Sequence, residues 1–380
     1  MTIIQSQDSA GLFEPFLLGD ISLKHRVVMA PMTRLRAGKD DGIPSEWAEE
    51  YYSSRATDGG LMLSEATSPS KDGRVWPYMP GIWSEEQIQQ WRKITDAVHA
   101  KGGKMVLQIA QAGRVAIPGV NPVVYAPSNN HDPTPGALQP EMKVMDQKDI
   151  NQSIKEFTEA SKNAIRAGFD GVEIHAANGY LLDQFIQSVS NLRTDSYGGS
   201  IDNRIKFPIE VLKTVTSAIP AQKVGLRVSP FATYQGMREP IGEESGPIKT
   251  FSRLLEKIYE EIPTFGYIHA LEPRSTGDGD QSDDKLDLKD SIDPLRQIVL
   301  NHGSHLIVAG GYTPASAKVH GEKYNELIAF GRSFTSNPDL VERIKYDLPL
   351  TKYDRSTFYT QGKEGYLGWP TYQNAVKVAA

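Results

Sequence analysis

The sequence contains no cysteine among its 380 residues. This absence excludes disulfide bonds, cysteine-ligated zinc or iron–sulfur clusters, and a thiolate nucleophile, because each of them requires the thiol sulfur. Long apolar runs are missing too, and none approaches the roughly 20 residues of a membrane-spanning helix. Residues 1–11 lack the charged, apolar and small-residue order of a signal peptide. We therefore expect a cytoplasmic protein that makes no membrane contact.

Basic residues are not in excess: the sequence has 47 acidic and 41 basic side chains, which gives a net charge of −6. This balance predicts no nucleic-acid partner, because such proteins usually carry a basic surface. No G-x-G-x-x-G motif follows a strand, so a Rossmann dinucleotide site is not expected. No metal site is expected either. The acidic run Asp278–Asp283 has aspartate where a calcium loop needs glycine, and His302 and His305 have no supporting carboxylate or cysteine nearby in sequence.

Short apolar segments rich in β-branched residues recur along the chain and are typical of buried strands. They lie at His25–Pro31, Leu61–Ala66, Met105–Ala110, Gly171–His175, Val224–Ser229, Tyr267–Leu271, Leu306–Gly310 and Leu327–Gly331. Helical patterns separate them, and the clearest begins at the capping box Ser84–Gln87 and ends at Gly102. Further helices are predicted at 150–165, 201–218, 248–261, 292–301 and 338–346. The alternation predicts one (β/α)₈ barrel domain over residues 1–380, with a doubly wound open sheet as the alternative.

Polar residues follow several of these strands, at the barrel end where active sites are built. They are Thr33, Gln108, His175, Asn178, Tyr180 and Arg227, together with the pairs Gly310-Gly311 and Gly331-Arg332. The two glycine-containing pairs follow the seventh and eighth strands. Bare backbone N–H groups and a guanidinium both bind anions, so these pairs predict a phosphate site. The alternative is a tight turn beside a surface arginine.

Arg227 lies within an otherwise apolar strand, where an unpaired charge is unfavourable. Either a structural salt bridge neutralises it, or it reaches the electron-rich edge of a ring cofactor, to which Gln108 and Thr33 would donate and accept hydrogen bonds. Combined with a phosphate site, the second arrangement indicates flavin mononucleotide (FMN).

The spacing of His175, Asn178 and Tyr180 suggests a reaction centre. The first two side chains can donate hydrogen bonds to one oxygen as charge develops on it, and the tyrosine can deliver a proton nearby. The alternatives are a core histidine that is already hydrogen-bonded and a tyrosine that only packs.

Several segments resemble the Old Yellow Enzyme family over almost the whole chain. They are Ala30–Arg34, His175–Phe185, Asn191–Ser200, Phe330–Phe334, Asn337–Val341 and Arg355–Tyr359. The resemblance implies a barrel with bound FMN and with NAD(P)H as an exchangeable hydride donor. Hydride would pass through flavin N5 to the activated C=C bond of an enone or nitroalkene, with ping-pong kinetics.

The resemblance also implies roles for individual residues. Flavin contacts would come from Pro31, Met32, Thr33, Gly59, Gln108 and Arg227, and phosphate contacts from Gly310, Gly311, Gly331 and Arg332. His175 and Asn178 would hold the substrate oxygen, Tyr180 would protonate the α-carbon, and Tyr359 with Phe358 would line the pocket.

Two positions depart from one branch of the family or the other. Thr33 stands where the bacterial branch commonly has cysteine, whereas Ala110 stands where many yeast-like members have tryptophan. The absence of cysteine also excludes the iron–sulfur-bearing relatives and supports direct electron input from a nicotinamide.

Other functions stay open at this point. They are a quinone or nitro-compound reductase, an isomerase, a barrel lyase or isomerase acting on a sugar phosphate, and a flavin-binding sensor without turnover. The chain is expected to be a monomer or a homodimer.

Overall fold

The computed structural model describes residues 11–242, 246–275, 287 and 289–373. Its strands are β1 (Phe16–Leu18), β2 (Ile21–Leu23), β3 (Val27–Met29), β4 (Leu61–Leu63), β5 (Lys104–Ile109), β6 (Val124–Ala126), β7 (Met142–Val144), β8 (Gly171–Ala176), β9 (Val224–Val228), β10 (Tyr267–Leu271), β11 (His305–Ala309) and β12 (Leu327–Phe330). Eight of these described strands form a closed parallel barrel in the order β3-β4-β5-β8-β9-β10-β11-β12, and β12 pairs with β3 to complete it. The predicted (β/α)₈ barrel is confirmed, and its closure excludes the open sheet.

Helices alternate with the barrel strands and surround them. They are α1 (Trp47–Ser53), α2 (Glu85–His99), α3 (Gln147–Arg166), α4 (Leu181–Ile186), α5 (Ile201–Ala218), α6 (Pro247–Glu261), α7 (Asp293–Asn301), α8 (Pro314–Lys323), α9 (Arg332–Ser336) and α10 (Leu340–Lys345). The predicted capping box at Ser84 is present: its side chain accepts a hydrogen bond from the Gln87 backbone, and the Gln87 side chain accepts one in return. The helices predicted from apolar periodicity are confirmed. Sequence analysis missed α1, α4, α8 and α9, which are short.

The β1–β2 hairpin, which sequence analysis also missed, fills the amino-terminal end of the barrel. Phe16, Leu18, Ile21 and Leu23 are buried there against inward-facing residues of the barrel strands. Each apolar side chain of this size contributes about 1.5–3 kcal/mol when fully buried. The carboxyl-terminal end of the barrel carries the open cleft.

A larger apolar cluster joins the outer faces of the strands to the helices. Trp91 of α2, Phe157 of α3, Phe207 of α5 and Phe251 of α6 are completely buried in it. This packing supports the strands from outside, and a site built from several strand ends requires such support.

Two short strands lie within the long loop after β5. β6 and β7 pair in parallel with each other outside the barrel. In the described part of the chain, no helix is long and apolar enough to cross a bilayer. The acidic run Asp278–Asp283 lies outside the described residues.

Candidate active site

A cavity of about 690 Å³ opens at the carboxyl-terminal end of the barrel. Most of the site residues proposed from the sequence line it, although they come from widely separated parts of the chain. These are Pro31, Met32, Thr33, Gln108, His175, Asn178, Tyr180, Arg227, Gly310, Gly311, Gly331, Arg332, Phe358 and Tyr359. Parallel strands all end at the same edge, which brings these residues together.

Gly59 is the exception, and the prediction that it contacts the flavin is wrong. Its N–H donates to the Gly102 carbonyl at 2.9 Å, and its own carbonyl accepts from the Lys24 backbone at 3.0 Å. These contacts place Gly59 before β4, at the amino-terminal end of the barrel and away from the cavity. Ala66, beyond the other end of β4, lines the cavity instead. A small apolar residue gave no chemical signal by which sequence analysis could have identified it.

Arg227 and Gln108 lie at the floor of the cavity. The Nε atom of Arg227 is buried and has no hydrogen-bond partner within the described residues. Burial lowers the pKa of Arg227, while the nearby charge of Glu173 opposes this shift. Gln108 is also buried, and its Nε2 donates to Glu173 at 2.7 Å. Both polar side chains therefore border the cavity with hydrogen-bonding capacity toward a ligand.

His175 and Asn178 form one wall of the cavity and are both buried. The pKa of His175 lies well below its ordinary range because of burial, reinforced by the positive charge of Arg227 on the adjacent strand. The ring is therefore neutral at physiological pH. The His175 Nδ1 and Asn178 Oδ1 atoms have no partner in the described part of the chain. Both side chains are therefore buried yet retain unpaired polar atoms.

The turn that carries Asn178 is held in an unusual backbone conformation. Asn178 has φ +56° and the following Gly179 has φ +76°. The Asn178 N–H donates to Ser229 Oγ at 2.7 Å, and a Cβ at position 179 would lie 2.8 Å from the Cβ of Gln235. Non-glycine residues adopt positive φ rarely, and such strain is concentrated at functional sites.

Helix α4 supports the same turn through two buried polar side chains. Gln184 Nε2 donates to the Gly179 carbonyl at 2.6 Å, while Asp183 Oδ2 accepts from the Gly179 N–H at 2.9 Å. The His175–Phe185 segment therefore contains both the candidate reacting residues and their supports.

Tyr180 follows the turn and lies beside His175, with 5.2 Å between the ring centroids. Burial raises the pKa of Tyr180 well above its ordinary range, and the neighbouring Tyr234 contributes in the same direction. The phenol therefore keeps its proton at neutral pH. Trp76 packs edge-on against Tyr180 with a centroid separation of 6.0 Å, although sequence analysis did not identify it. Ala110, where many yeast-like members of the family have tryptophan, is buried in the same cluster as Tyr180. The tryptophan that packs against Tyr180 in this chain is Trp76, from a different loop.

The two glycine-containing pairs border the opposite part of the cavity. Gly310 has φ +144° and Gly311 φ +65°, conformations that favour glycine. A Cβ on Gly331 would come no closer than 3.7 Å to Met32, its nearest neighbour, so the backbone there is open to a ligand. Arg332 lines the cavity and donates to the Tyr353 hydroxyl at 3.3 Å. Exposed backbone and a guanidinium on one wall suit a phosphate group better than a surface turn.

The cavity residues fit FMN. Arg227, whose Nε is buried and unpaired within the described residues, and Gln108, whose Nε2 is held by Glu173, lie at the region for a polar ring. The glycine pairs and Arg332 lie at the region for a phosphate. An elongated ligand with a flat polar head and an anionic tail would satisfy both ends.

We expect Gly310→Ala to weaken FMN binding by about tenfold or more. Alanine is strained at φ +144°, and its Cβ would lie 2.9 Å from that of Glu272, so the loop must shift. The measurement is the dissociation constant from FMN fluorescence. Gly119→Ala is the control, since Gly119 also has positive φ, but a Cβ added there would meet no atom within 4 Å and the residue lies away from the cavity. Equal FMN affinity in Gly310→Ala and wild type would contradict the assignment.

Comparison with known proteins agrees with this site. The profile of the NADH:flavin oxidoreductase / NADH oxidase family matches residues 11–351. The flavin oxidoreductase hxnT of Emericella nidulans is 43% identical, over 95% of this chain and 98% of its own length. The 12-oxophytodienoate reductase 1 of Oryza sativa subsp. japonica is 40% identical, over 94% and 92% respectively.

Solved structures give the same result. Morphinone reductase superposes with a TM-score of 0.86 at 34% identity, covering 97% of this chain and 98% of the other. Its complex with tetrahydroNAD superposes with a TM-score of 0.84 at 34% identity, covering 96% and 98%. The chain therefore belongs to the NADH:flavin oxidoreductase / NADH oxidase family and is an FMN-dependent oxidoreductase of the Old Yellow Enzyme type that takes electrons from NAD(P)H.

Proposed function

We propose that the enzyme reduces the activated C=C bond of α,β-unsaturated carbonyl or nitro compounds. The observation that carries the proposal is the grouping of a neutral histidine, an asparagine and a protonated tyrosine on one wall of the cavity. Bound FMN would supply the redox chemistry, by accepting a hydride equivalent from NAD(P)H and passing it to the alkene. The names of the 12-oxophytodienoate and morphinone reductases also denote reduction of oxo compounds.

His175 and Asn178 bind the substrate oxygen in this proposal. Each offers an N–H donor, and the depressed pKa of His175 makes it a neutral donor rather than a cation. Hydrogen bonds from both would stabilise the negative charge that develops on a carbonyl or nitro oxygen during attack at the β-carbon. The turn fixes the backbone from which the Asn178 amide projects, so the main chain needs little reorganisation when substrate arrives.

Tyr180 then protonates the α-carbon. Its raised pKa keeps the phenol protonated, and its ring lies 5.2 Å from that of His175, on the cavity wall that carries the oxygen-binding donors. Contact with Trp76 excludes water from one side of the ring. A buried, protonated tyrosine next to the developing carbanion satisfies the requirements of a general acid.

The remaining cavity residues bind the cofactor and shape the substrate pocket. We assign Pro31, Met32, Thr33, Gln108 and Arg227 to the flavin ring, and Gly310, Gly311, Gly331 and Arg332 to the phosphate. Tyr359, which is half exposed at the rim, contacts substrate.

The decisive test is an anaerobic two-step experiment on the FMN-loaded protein. NADH or NADPH should bleach the flavin absorbance, and cyclohex-2-enone or a nitroalkene should restore it while the saturated product appears. A protein that accepts electrons from NAD(P)H and passes them to a quinone but never to an enone would be a quinone reductase instead. A protein that does not bind FMN would contradict the proposal entirely.

Neither His175 nor Tyr180 should contribute a pH dependence to enone reduction between about pH 6 and pH 9. Burial lowers the pKa of His175 well below its ordinary value and raises the pKa of Tyr180 well above its ordinary value, so each side chain stays neutral over this interval. Stopped-flow measurement of flavin reoxidation by the enone tests this in the isolated half-reaction. A rate change centred near pH 6.5 that disappears in His175→Asn would show that His175 acts as a cation.

A further inference from the structure

Glu173 is a fully buried carboxylate beneath the cavity, and the proposed reaction does not use it. It lies on β8 two residues before His175, so both side chains face the inside of the barrel. Glu173 itself does not line the cavity, but its neighbours Gln108 and Arg227 do.

Among the described residues, three side chains donate hydrogen bonds to this carboxylate. They are Gln108 Nε2 at 2.7 Å, His269 Nδ1 at 2.9 Å and the Tyr267 hydroxyl at 3.2 Å. Burial alone would raise the pKa of Glu173, but the charge interactions with His269 and Arg227 and the hydrogen bonds from His269 and Gln108 together bring the pKa below its ordinary value. The carboxylate is therefore ionised inside the barrel.

The strand register makes this arrangement possible. Glu173 pairs with Gly225, and Gly225 pairs with Tyr267 on the next strand. A Cβ at Gly225 would lie 2.1 Å from the Tyr267 ring, so the absent side chain lets the ring pass over β9 toward Glu173.

Glu173 fixes the orientation of the Gln108 amide. The reverse orientation would place the amide oxygen of Gln108 against the carboxylate oxygen of Glu173, and both are acceptors. Because Nε2 instead donates to the carboxylate, the amide oxygen of Gln108 is the group left for the cavity. Gln108 thus offers an acceptor to a ligand N–H. The same carboxylate charge also acts on Arg227, raising the pKa of that guanidinium against the effect of burial.

We propose that Glu173 is a positioning residue that directs Gln108 and offsets the charge of Arg227, and so sets the reduction potential of FMN in this site. The proposal rests on the residue roles assigned above. Reduction adds electron density to the ring, which a nearby negative charge opposes and a nearby positive charge favours. An ionised Glu173 keeps the potential low, which favours hydride donation to the alkene.

Glu173→Gln should therefore raise the potential. We expect a tenfold shift of the two-electron equilibrium toward reduced FMN, which corresponds to about 30 mV. Tyr267→Phe removes one donor and leaves the carboxylate, so its negative charge is less compensated and the potential should fall. A loss of packing alone would not be expected to raise the reduction potential in one variant and lower it in the other.

Spectroelectrochemical titration of the FMN-loaded proteins measures these potentials, with FMN affinity determined in parallel. Glu326→Gln is the matched control, because Glu326 is also buried but pairs with Arg296 and His320 away from the cavity. The reduction potential of Glu326→Gln should equal that of wild type.

If Glu173→Gln binds FMN at the wild-type potential, the inference fails while the proposed function stands. If Glu173→Gln does not fold, Tyr267→Phe decides: a potential that is unchanged or higher overturns the inference. Failure of wild type to bind FMN would overturn the proposed function instead.

Discussion

Tyr180→Phe should slow reoxidation of the reduced enzyme by an enone about 10²–10⁴-fold, the usual contribution of a general acid. The substitution removes only the hydroxyl, so the ring keeps its contacts with His175 and Trp76. Reduction by NAD(P)H needs no proton from this residue and should proceed at the wild-type rate. Stopped-flow spectroscopy of the flavin separates the two half-reactions.

Tyr234→Phe provides the control, because Tyr234 lines the same cavity and loses the same atom. We expect it to change the enone half-reaction far less than Tyr180→Phe. An equal loss of rate in both half-reactions of Tyr180→Phe would contradict the proton-donor role and indicate a general disturbance of the cavity. A nitroalkene offers a further comparison, since its more stable carbanion depends less on a general acid.

The sequence predicted the barrel well because its strands are buried on both faces and therefore appear as short apolar runs. Polar residues stand out against these apolar runs, so Gln108, His175 and Arg227 could be predicted to lie at the cavity, and all three line it. Gly59 was misplaced because a resemblance matched by position put it at the wrong end of its strand. Trp76 was missed because it comes from an irregular loop, where no periodicity relates a side chain to the site.

Contacts between strands were also beyond the sequence. Nothing in the local pattern indicates that Glu173 meets Gln108, Tyr267 and His269, since these contacts depend on the register of the closed barrel. Gly225 is another such case, because only the closed barrel shows that the Tyr267 ring occupies the space where its side chain would be. Arg227 raised a choice between a salt bridge and a cofactor contact, and the structure shows features of each: the charge of Glu173 nearby and a free Nε beside the cavity.

The rim of the cavity depends on the buried side chain of Arg34. Arg34 is 1% exposed and donates from Nε to the Phe358 carbonyl at 3.2 Å, from Nη1 to the Tyr51 hydroxyl at 3.0 Å and from Nη2 to the Gly365 carbonyl at 2.8 Å. Arg36 also donates to the Phe358 carbonyl, at 2.7 Å. These bonds tie the C-terminal segment that carries Phe358 and Tyr359 to the loop after β3.

Arg34→Met should lower the free energy of unfolding by about 3 kcal/mol, since three hydrogen bonds from a charged donor are lost and the Gly365 carbonyl loses this donor. The C-terminal segment should also loosen, which displaces Phe358 and Tyr359 and raises KM for the enone more than it lowers kcat. Urea unfolding and steady-state kinetics measure the two effects. Arg166→Met is the control, because that side chain is about half exposed in its ion pair with Glu85 and should cost at most about 1 kcal/mol. Wild-type KM together with normal stability in Arg34→Met would show that the rim is held by other contacts.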